Sequence, residues 1–329
     1  MKMESLIAGF NDQLKEALAI GQNASLTPSQ KPIENVLITG LGGSGIGGTI
    51  IKDWLSDSCQ APIIVNKGYG VPGFVNENTL VIASSYSGNT EETLSATEKA
   101  IAKGAQIAAI TSGGELEQMV ENVDGNIIKV PGGNPPRAML AYSLVQQLFL
   151  FNHYGLANVD IEKEINTTRD ILEFNEKEIK REAKDVAKGL KNTSPYIYSL
   201  DGYAGIGTRM RQQLNENSKM LCNSQVIPEM NHNELVGWAG AKGEISVVFL
   251  RNEDELDRNR TRLDINEEII QKYTSNIHHI WSKGDTRIQR SLYHIHLEDW
   301  CSLYLSELNG VDPVEIEVIN HLKGELSKL

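Results

Sequence analysis

Residues 79 to 93 read Thr79-Leu80-Val81-Ile82-Ala83-Ser84-Ser85-Tyr86-Ser87-Gly88-Asn89-Thr90-Glu91-Glu92-Thr93. The apolar run at 79–83 predicts a buried strand, and the hydroxyl-rich turn after it opens a helix. Such a turn directs hydroxyl and backbone N–H groups to one point, which favours an anion. Ordinary helix capping accounts for one hydroxyl and not for several. We therefore expect Ser85, Ser87 and Thr90 to bind the phosphate group of a small molecule.

The composition limits the partners of the chain. Its 329 residues are enough for about two domains, each with its own core. Lys and Arg total 31 against 43 Asp and Glu, a formal charge of -12 with no dense basic stripe. We expect neither nucleic acid nor membrane as a partner, because both attract basic surfaces. An anionic ligand would have to be bound by a local site.

Cysteine usage and the N-terminus indicate the compartment. Cys59, Cys222 and Cys301 are far apart and show no CxxC spacing, which argues against a disulfide framework and a zinc ribbon. The first twelve residues, Met1–Asp12, carry acids around a short apolar stretch and predict an amphipathic helix, not a signal peptide. No apolar run approaches the ~20 residues of a membrane span. We expect a cytoplasmic protein.

Strands and helices alternate along the first half of the chain. The predicted strands lie near Val36–Thr39, Ile63–Val65, Leu80–Ala83, Gln106–Ile110 and Ile127–Val130. This alternation predicts a parallel sheet covered by helices on both faces. A helix over Ala138–Tyr154 would close the first domain, and the interleaved charges of Ile161–Lys191 predict a solvated helix that joins the halves.

The second half repeats the plan of the first. Pro195–Leu200 followed by Gly202–Thr208 resembles Val36–Thr39 followed by Ser44–Thr49. The third strand of this copy, Glu244–Leu250, runs into the acidic sequence Arg251-Asn252-Glu253-Asp254-Glu255-Leu256-Asp257, which would repel a phosphate. Only the first domain should therefore bind the anion.

The predicted fold class is α/β, with two doubly wound domains, each a mostly parallel sheet flanked by helices. The expected boundaries are an N-terminal helical segment at 1–31, a phosphate-binding domain at 32–155, a helical linker at 156–190, and a second domain with a C-terminal helix at 191–329.

A glycine-rich segment follows the first strand. Gly40-Leu41-Gly42-Gly43-Ser44-Gly45 matches the dinucleotide pattern GxGxxG, but Asn66 and Lys67 stand where the acid that binds ribose is required. The Walker pattern fails as well, because no Lys-Ser or Lys-Thr follows. We expect a flexible loop in which the backbone of Gly42, Gly43 and Gly45 approaches the ligand. Ser44 would face the hydroxyl turn and bind the same phosphate, since ligands of open α/β sheets bind at the carboxyl ends of the strands.

Five motifs occur in order along the chain: Gly42-Gly43-Ser44-Gly45, Ser85-Tyr86-Ser87-Gly88-Asn89-Thr90, Pro135-Pro136-Arg137, Asn215-Glu216-Asn217 and Pro228-Glu229-Met230-Asn231-His232-Asn233-Glu234. Together they resemble the bifunctional phosphoglucose/phosphomannose isomerase family, which is built from two sugar isomerase (SIS) domains. The resemblance covers nearly the whole chain. It implies cytoplasmic homodimers of glycolysis and gluconeogenesis that interconvert fructose 6-phosphate with glucose 6-phosphate and often mannose 6-phosphate, without metal or nucleotide.

Moving a proton between C1 and C2 of an open-chain sugar phosphate needs a carboxylate base and positive charge beside the developing enediolate. The resemblance makes Glu216 the base; helical spacing places it on the same face of a predicted helix, Arg209–Met220, as Arg209 and Gln213. Arg137 follows a turn rich in proline and glycine, which would fix its guanidinium for stabilising an enediolate.

Two further residues are candidates for opening the sugar ring. The ordinary pKa of histidine, about 6.5, suits proton transfer to a ring oxygen. Among the seven histidines the resemblance singles out His232 and implies that it reaches the active site of the partner subunit. Lys323, in Asn320-His321-Leu322-Lys323, resembles the lysine that assists ring opening at O5.

We expect no metal and no cofactor. The histidine clusters His294-Ile295-His296 and His278-His279 lack the HExxH spacing and an accompanying set of carboxylates.

Three other functions fit parts of the pattern. A non-catalytic phosphosugar sensor would use the same fold, but no helix-turn-helix extension or basic output surface is visible. Another SIS-type sugar phosphate isomerase would share the hydroxyl turn and differ in the rest of the pocket. A nicotinamide-linked dehydrogenase would need the missing ribose acid.

Overall fold

A computed structural model describes residues 2–328, which contain two parallel β-sheets. The strands of the first sheet are β1 (Asn35–Thr39), β2 (Ile63–Asn66), β3 (Thr79–Ser84), β4 (Gln106–Thr111) and β5 (Asn126–Lys129). Those of the second are β6 (Ser194–Leu200), β7 (Asn223–Ile227), β8 (Ile245–Arg251) and β9 (Ile277–Trp281). The strand orders are β2-β1-β3-β4-β5 and β7-β6-β8-β9. The second order repeats the first four positions of the first, as the predicted internal repeat requires.

Helices connect the strands and cover both sheets. In chain order they are α1 (Met3–Ala8), α2 (Phe10–Gln22), α3 (Gly42–Leu55), α4 (Glu91–Ala102), α5 (Gly114–Glu121), α6 (Leu140–His153), α7 (Ile161–Leu190), α8 (Ala204–Ser218), α9 (Glu234–Gly237), α10 (Asp257–Ile270), α11 (Arg287–Asn309) and α12 (Glu317–Leu326). Short 3-10 turns lie at Pro136–Ala138, Glu229–His232 and Trp238–Gly240. The prediction of two doubly wound α/β units is confirmed.

Strand β3 shows why the first sheet has helices on both faces. All six of its residues are buried. Leu80 and Ile82 belong to the large core cluster, whereas Val81 and Ala83 belong to a separate cluster on the other face. Because side chains alternate along a strand, a continuous apolar run must be covered on both sides.

The N-terminus differs from the expectation of one helix over Met1–Asp12, of which Met1 lies outside the described residues. Two helices, α1 and α2, meet at Gly9, whose ψ of 3° departs from helical geometry. The break separates two segments that pack against different neighbours, α1 against α11 and α2 against α6 and α7. Tertiary packing therefore overrides the local pattern.

Helix α11 is the central helix of the molecule. It packs against α7 on one side and α8 on the other, and most of its side chains are buried. Among residues 2–328, no helix is both long enough and apolar enough to cross a membrane.

Candidate functional site

The turn after β3 brings two of the predicted phosphate ligands together. Ser85 Oγ and Thr90 Oγ1 lie 2.9 Å apart in a hydrogen bond, and Ser85 is almost fully buried. Thr90 is the N-cap residue of α4, but its hydroxyl bonds Ser85 and not the backbone of the helix. Ser87 is exposed, and its Oγ accepts a hydrogen bond from the Asn89 N–H at 3.3 Å. No side-chain hydrogen bond caps α4, so capping does not account for these hydroxyls.

Gly88 gives this turn its shape. Its φ of +70° lies in the left-handed region, and a Cβ at this position would stand 1.7 Å from the Gly113 carbonyl oxygen. A side chain here would therefore force apart the turns that follow β3 and β4.

The glycine-rich segment starts a helix, so the prediction of a flexible loop is wrong. Helix α3 begins at Gly42, which places Gly42, Gly43, Ser44 and Gly45 in its first turn. Hydrogen bonds from the Ser44 and Gly45 N–H groups to the Leu41 carbonyl close this turn. The first N–H groups of a helix have no partner within it and attract anions, so this end still suits a phosphate.

Ser44 connects α3 to the hydroxyl turn. Its Oγ accepts a hydrogen bond from the Tyr86 N–H at 3.2 Å, and the residue is 7 % exposed. On the other side, a Cβ on Gly43 would stand 3.2 Å from the Arg137 backbone nitrogen. The two predicted phosphate-binding segments and the Arg137 turn are therefore in direct contact.

Arg137 is held by four acceptors although it lies in a short 3-10 turn. Its Nε donates to Asn217 Oδ1 at 2.7 Å and its Nη1 to Glu216 Oε2 at 3.2 Å. Its Nη2 donates to the carbonyl oxygens of Pro313 at 2.6 Å and Val314 at 3.4 Å. The side chain is nearly buried, and burial lowers the pKa of the guanidinium from its ordinary value. The charge persists because an arginine pKa starts above 12.

Glu216 is the more accessible partner in this pair. Its side chain is 30 % exposed, against 5 % for Arg137. It borders an apolar groove of about 370 Å³ that is also lined by Met220, Leu221 and Ile319. A carboxylate that faces an open groove and touches a fixed cation can act as a base on a bound substrate.

Arg209 and Gln213, which the helical spacing places on the same face of α8 as Glu216, make different contacts from Glu216. Arg209 donates to both carboxylate oxygens of Asp299, at 2.6 and 3.2 Å, and Gln213 Nε2 donates to the same group at 2.5 Å. Arg209 also donates to the Arg137 carbonyl at 3.0 Å. Arg209 and Gln213 are thus occupied inside the protein, while Glu216 lies at the open end of the helix.

Asp299 is a residue of this cluster that none of the five sequence motifs contains. This residue is 3 % exposed, and burial raises the pKa of its carboxyl even though Arg209 and Gln213 oppose the shift. The available signal was the pair of carboxylates Glu298 and Asp299 within the largely apolar stretch Leu297–Leu305, since a buried charge needs a partner.

The C-terminal segment also approaches the site, by contacts that local patterns do not indicate. Lys219 has a left-handed backbone with φ of 54° and ends α8. Its Nζ donates at 2.6 Å to the carbonyl oxygens of both Glu216 and Glu315. Together with the bonds from Arg137 to Pro313 and Val314, this fixes the segment before α12 beside Glu216.

The last two predicted residues lie outside this cluster. Lys323 is exposed on α12, one helical turn beyond Ile319, which lines the groove of Glu216. His232 is exposed at the end of the 3-10 turn Glu229–His232 of the second unit. Neither side chain forms a hydrogen bond with another residue between 2 and 328. Hydrogen bonds join Arg137 to Glu216, Ser85 to Thr90, and Ser44 to the Tyr86 backbone, whereas the His232 side chain bonds none of these residues.

The histidine clusters are separated by the fold. His294 and His296 are buried in α11, and burial lowers their pKa values to about 3 and about 4. His296 stacks on Phe10, whereas His294 approaches the edge of Tyr203. Between residues 2 and 328, no three His, Cys, Asp or Glu side chains form a metal-binding group.

Comparison with known proteins identifies both domains of the chain. Residues 32–157 match the SIS domain model, and residues 179–326 match the model of the bacterial phospho-glucose isomerase C-terminal SIS domain. The chain is 40% identical over 328 residues to a bifunctional phosphoglucose/phosphomannose isomerase of Caldicellulosiruptor bescii, covering 97% of each chain. The protein of the same description from Aquifex aeolicus is 37% identical, with 90% of this chain and 92% of that one covered.

A solved structure shows the same fold at low sequence identity. The C-terminal domain of glucosamine-fructose-6-phosphate aminotransferase from Francisella tularensis superposes with a TM-score of 0.77 at 15% identity, covering 95% of this chain and 98% of that one. At this identity the likeness concerns the fold alone, whereas the first two relatives share sequence over almost their entire length. The chain described here belongs to the bifunctional phosphoglucose/phosphomannose isomerase family.

Proposed function

We propose that this protein interconverts fructose 6-phosphate with glucose 6-phosphate and with mannose 6-phosphate, through an enediol and without a metal. The observation that carries the proposal is the contact between the exposed Glu216 carboxylate and the buried Arg137 guanidinium, next to the hydroxyl turn. Family membership supplies the substrate class, since the relatives in this family are described as acting on phosphoglucose and phosphomannose.

The phosphate would be bound at the end of β3. Ser85, Ser87 and Thr90 supply hydroxyl donors, Ser44 supplies a fourth, and the first turn of α3 supplies backbone N–H groups. Neutral donors and a helix N-terminus satisfy phosphate oxygens without adding a carboxylate nearby. This anchoring would set the distance from the phosphate to the carbon atoms that react.

The isomerisation would need two proton transfers at carbon, one from C1 of the substrate to the enzyme and one from the enzyme to C2. Glu216 removes the C1 proton of open-chain fructose 6-phosphate, and the electron pair left behind forms the enediolate double bond between C1 and C2. Arg137 stabilises the negative oxygen, which is the group whose charge develops in the transition state. The protonated Glu216 then returns a proton to C2 while the proton of the O1 hydroxyl moves to O2, which leaves a carbonyl at C1 and gives an aldose. Rotation of the intermediate about C2–C3 would expose either face of C2, so that one base yields both glucose and mannose phosphates.

Ring opening precedes this step, because hexose phosphates are mainly cyclic. His232 and Lys323 would move protons at the ring oxygen and the neighbouring hydroxyl. His232 lies outside the Arg137–Glu216 cluster of its own chain, so we assign it to the site of a second copy in a homodimer. The apolar side chains of α12, among them Val318 at 81 % exposure and Leu322 at 58 %, offer surface for such an association. A cytoplasmic location is part of the same proposal.

The first experiment is turnover in EDTA. Glucose 6-phosphate formed from fructose 6-phosphate is followed as NADPH produced by glucose-6-phosphate dehydrogenase. The mannose 6-phosphate assay also contains metal-free phosphoglucose isomerase. Turnover of both substrates supports the proposal, and loss of activity in EDTA contradicts its metal independence. Binding of a phosphosugar without turnover would instead indicate a sensor.

Mixing two inactive variants tests the exchange of His232. A heterodimer of Glu216→Gln and His232→Ala subunits has two sites. One of them combines the intact Glu216 of the His232→Ala chain with the intact His232 of the Glu216→Gln chain. Random reassociation should restore roughly a quarter of the wild-type activity. If His232 serves its own chain, the mixture remains inactive. Sedimentation of the wild type gives the oligomeric state independently.

A further inference from the structure

The segment Glu229–Gly240 consists of three short helical turns, and His232 is the last residue of the first turn. Short turns of this kind have little regular backbone hydrogen bonding to fix their orientation. Side-chain contacts must therefore hold the segment in place, and the structure shows one on each side of His232.

The contact before His232 leads to α10. Asn231 Nδ2 donates to Asn266 Oδ1 at 2.6 Å, and Asn266 is 1 % exposed. Met230 is fully buried and belongs to the core cluster of the second unit, together with Leu263. The chain is thus secured immediately ahead of the histidine.

The contact after His232 leads to the central strand β6. The Tyr198 hydroxyl donates to Glu234 Oε1 at 2.5 Å and accepts a hydrogen bond from Trp238 Nε1 at 3.1 Å. Tyr198 is 1 % exposed and Trp238 is 4 % exposed. One buried hydroxyl therefore joins two positions of the His232 segment to the sheet.

The Tyr198 hydroxyl keeps its proton. Burial raises its pKa, and the hydrogen bond to the Glu234 carboxylate raises it further. It therefore donates to Glu234 throughout the pH range in which an isomerase is assayed, and the bond to a charged acceptor is stronger than a neutral one. The ring itself packs against Phe249, with centroids 5.5 Å apart.

We propose that Tyr198 is a positioning residue for His232 and, through it, for the opening of the sugar ring. This inference rests on the proposed function, and it assigns Tyr198 no contact with substrate. Because the anchored segment is short, loss of the hydroxyl would let His232 shift while Glu216 on α8 and its partner Arg137 stay in place. A shift of about 1 Å can lower the rate of a catalytic step by ~100-fold.

The test separates ring opening from proton transfer at C1. Fructose 6-phosphate must open its ring, whereas 5-deoxyfructose 6-phosphate lacks the C5 hydroxyl that closes the furanose and stays open. Exchange of the C1 proton with D2O, followed by NMR, reports Glu216 chemistry for both compounds. For Tyr198→Phe we expect kcat/KM to fall about 10- to 100-fold with fructose 6-phosphate and to change less than about 2-fold with the deoxy compound.

The control is Tyr196→Phe. Tyr196 lies on the same strand and packs against Trp238, with centroids 5.4 Å apart, but its hydroxyl takes no part in the Glu234 contact. It should retain wild-type rates with both compounds. Exchange of the deoxy compound by Tyr198→Phe at the wild-type rate also shows that the variant is folded.

Two variants of Glu234 and one double variant give a second test of the proposal. Glu234→Gln keeps an oxygen acceptor and should be milder than Glu234→Leu, which removes it. Tyr198→Phe combined with His232→Ala should be no slower than His232→Ala alone, because the two residues act in one step. Equal losses with both compounds, or losses that add in the double variant, would overturn the assignment. If the wild type exchanges neither compound, it is the proposed function that fails.

Discussion

Glu216 Oε2 lies 3.2 Å from Arg137 Nη1, although the two residues are 79 positions apart in the chain. The arginine is fixed by Asn217, Pro313 and Val314, and the carboxylate is left partly exposed. Asn217 in turn donates to Ser302 Oγ at 2.9 Å, which ties the pair to α11. The structure thus combines an immobile cation with an accessible base.

Replacing Glu216 by Gln should abolish both isomerase activities, because the amide cannot accept the proton from C1. We expect kcat to fall about 1,000-fold with fructose 6-phosphate and with mannose 6-phosphate. The coupled assays measure both rates, and Glu307→Gln on the exposed side of α11 is the control. Loss of one activity alone would show that a single base does not serve both substrates.

Replacing Arg137 by Lys should lower kcat by about 100-fold. The single ammonium group of lysine cannot form the hydrogen bonds that the planar guanidinium donates to its four acceptors. The loss of buried hydrogen bonds should also lower the free energy of unfolding by about 1–3 kcal/mol. Steady-state kinetics and urea denaturation measure the two effects. Arg258→Lys, at an exposed position of α10, is the matched control. An unchanged kcat would remove Arg137 from the mechanism.

Replacing Thr90 by Val keeps the shape of the side chain and removes the hydroxyl that bonds Ser85. If the hydroxyl binds phosphate, KM should rise about 10-fold and kcat should stay within about 2-fold, because the phosphate contact is the same in substrate and transition state. Inorganic phosphate should also become a weaker competitive inhibitor. Thr261→Val on α10 is the control, and a drop in kcat with constant KM would speak against a binding role.

Asp53 should make stability depend on pH. Its Oδ2 accepts a hydrogen bond from the Gly205 N–H at 2.7 Å, which joins α3 to the first turn of α8. Burial raises the pKa of this carboxyl from 3.8 to about 6. Between these values the folded protein binds more protons than the unfolded chain, so stability falls as pH rises. A shift of this size corresponds to roughly 3 kcal/mol at about 1.4 kcal/mol per unit.

Urea denaturation from pH 4 to 7 checks this sign. The difference in unfolding free energy between wild type and Asp53→Asn should decrease with rising pH up to about 6 and then level off. The neighbouring Asp57→Asn, whose carboxylate is largely exposed, should show no such trend. A difference that is constant with pH would contradict the assigned shift.

Local sequence patterns predicted the strands correctly but failed at two helix boundaries. The apolar runs predicted the strands near their observed positions, because a strand buried on both faces needs a continuous apolar run. The loop prediction at Gly42 is wrong, because glycines indicate a loop while packing against the Arg137 turn favours the start of α3. The prediction of a single N-terminal helix is wrong at Gly9, where α1 ends and α2 begins.

By itself, the sequence determined the two parallel α/β units and the hydroxyl turn after β3, because strand periodicity and turn chemistry are local properties of neighbouring residues. Only the tertiary structure decided that Arg137 meets Glu216, that Asp299 holds Arg209, and that the C-terminal segment supplies carbonyl acceptors to the arginine. These contacts join residues 79 or more positions apart. Such pairs form when packed helices and sheet edges meet, and no local pattern encodes them.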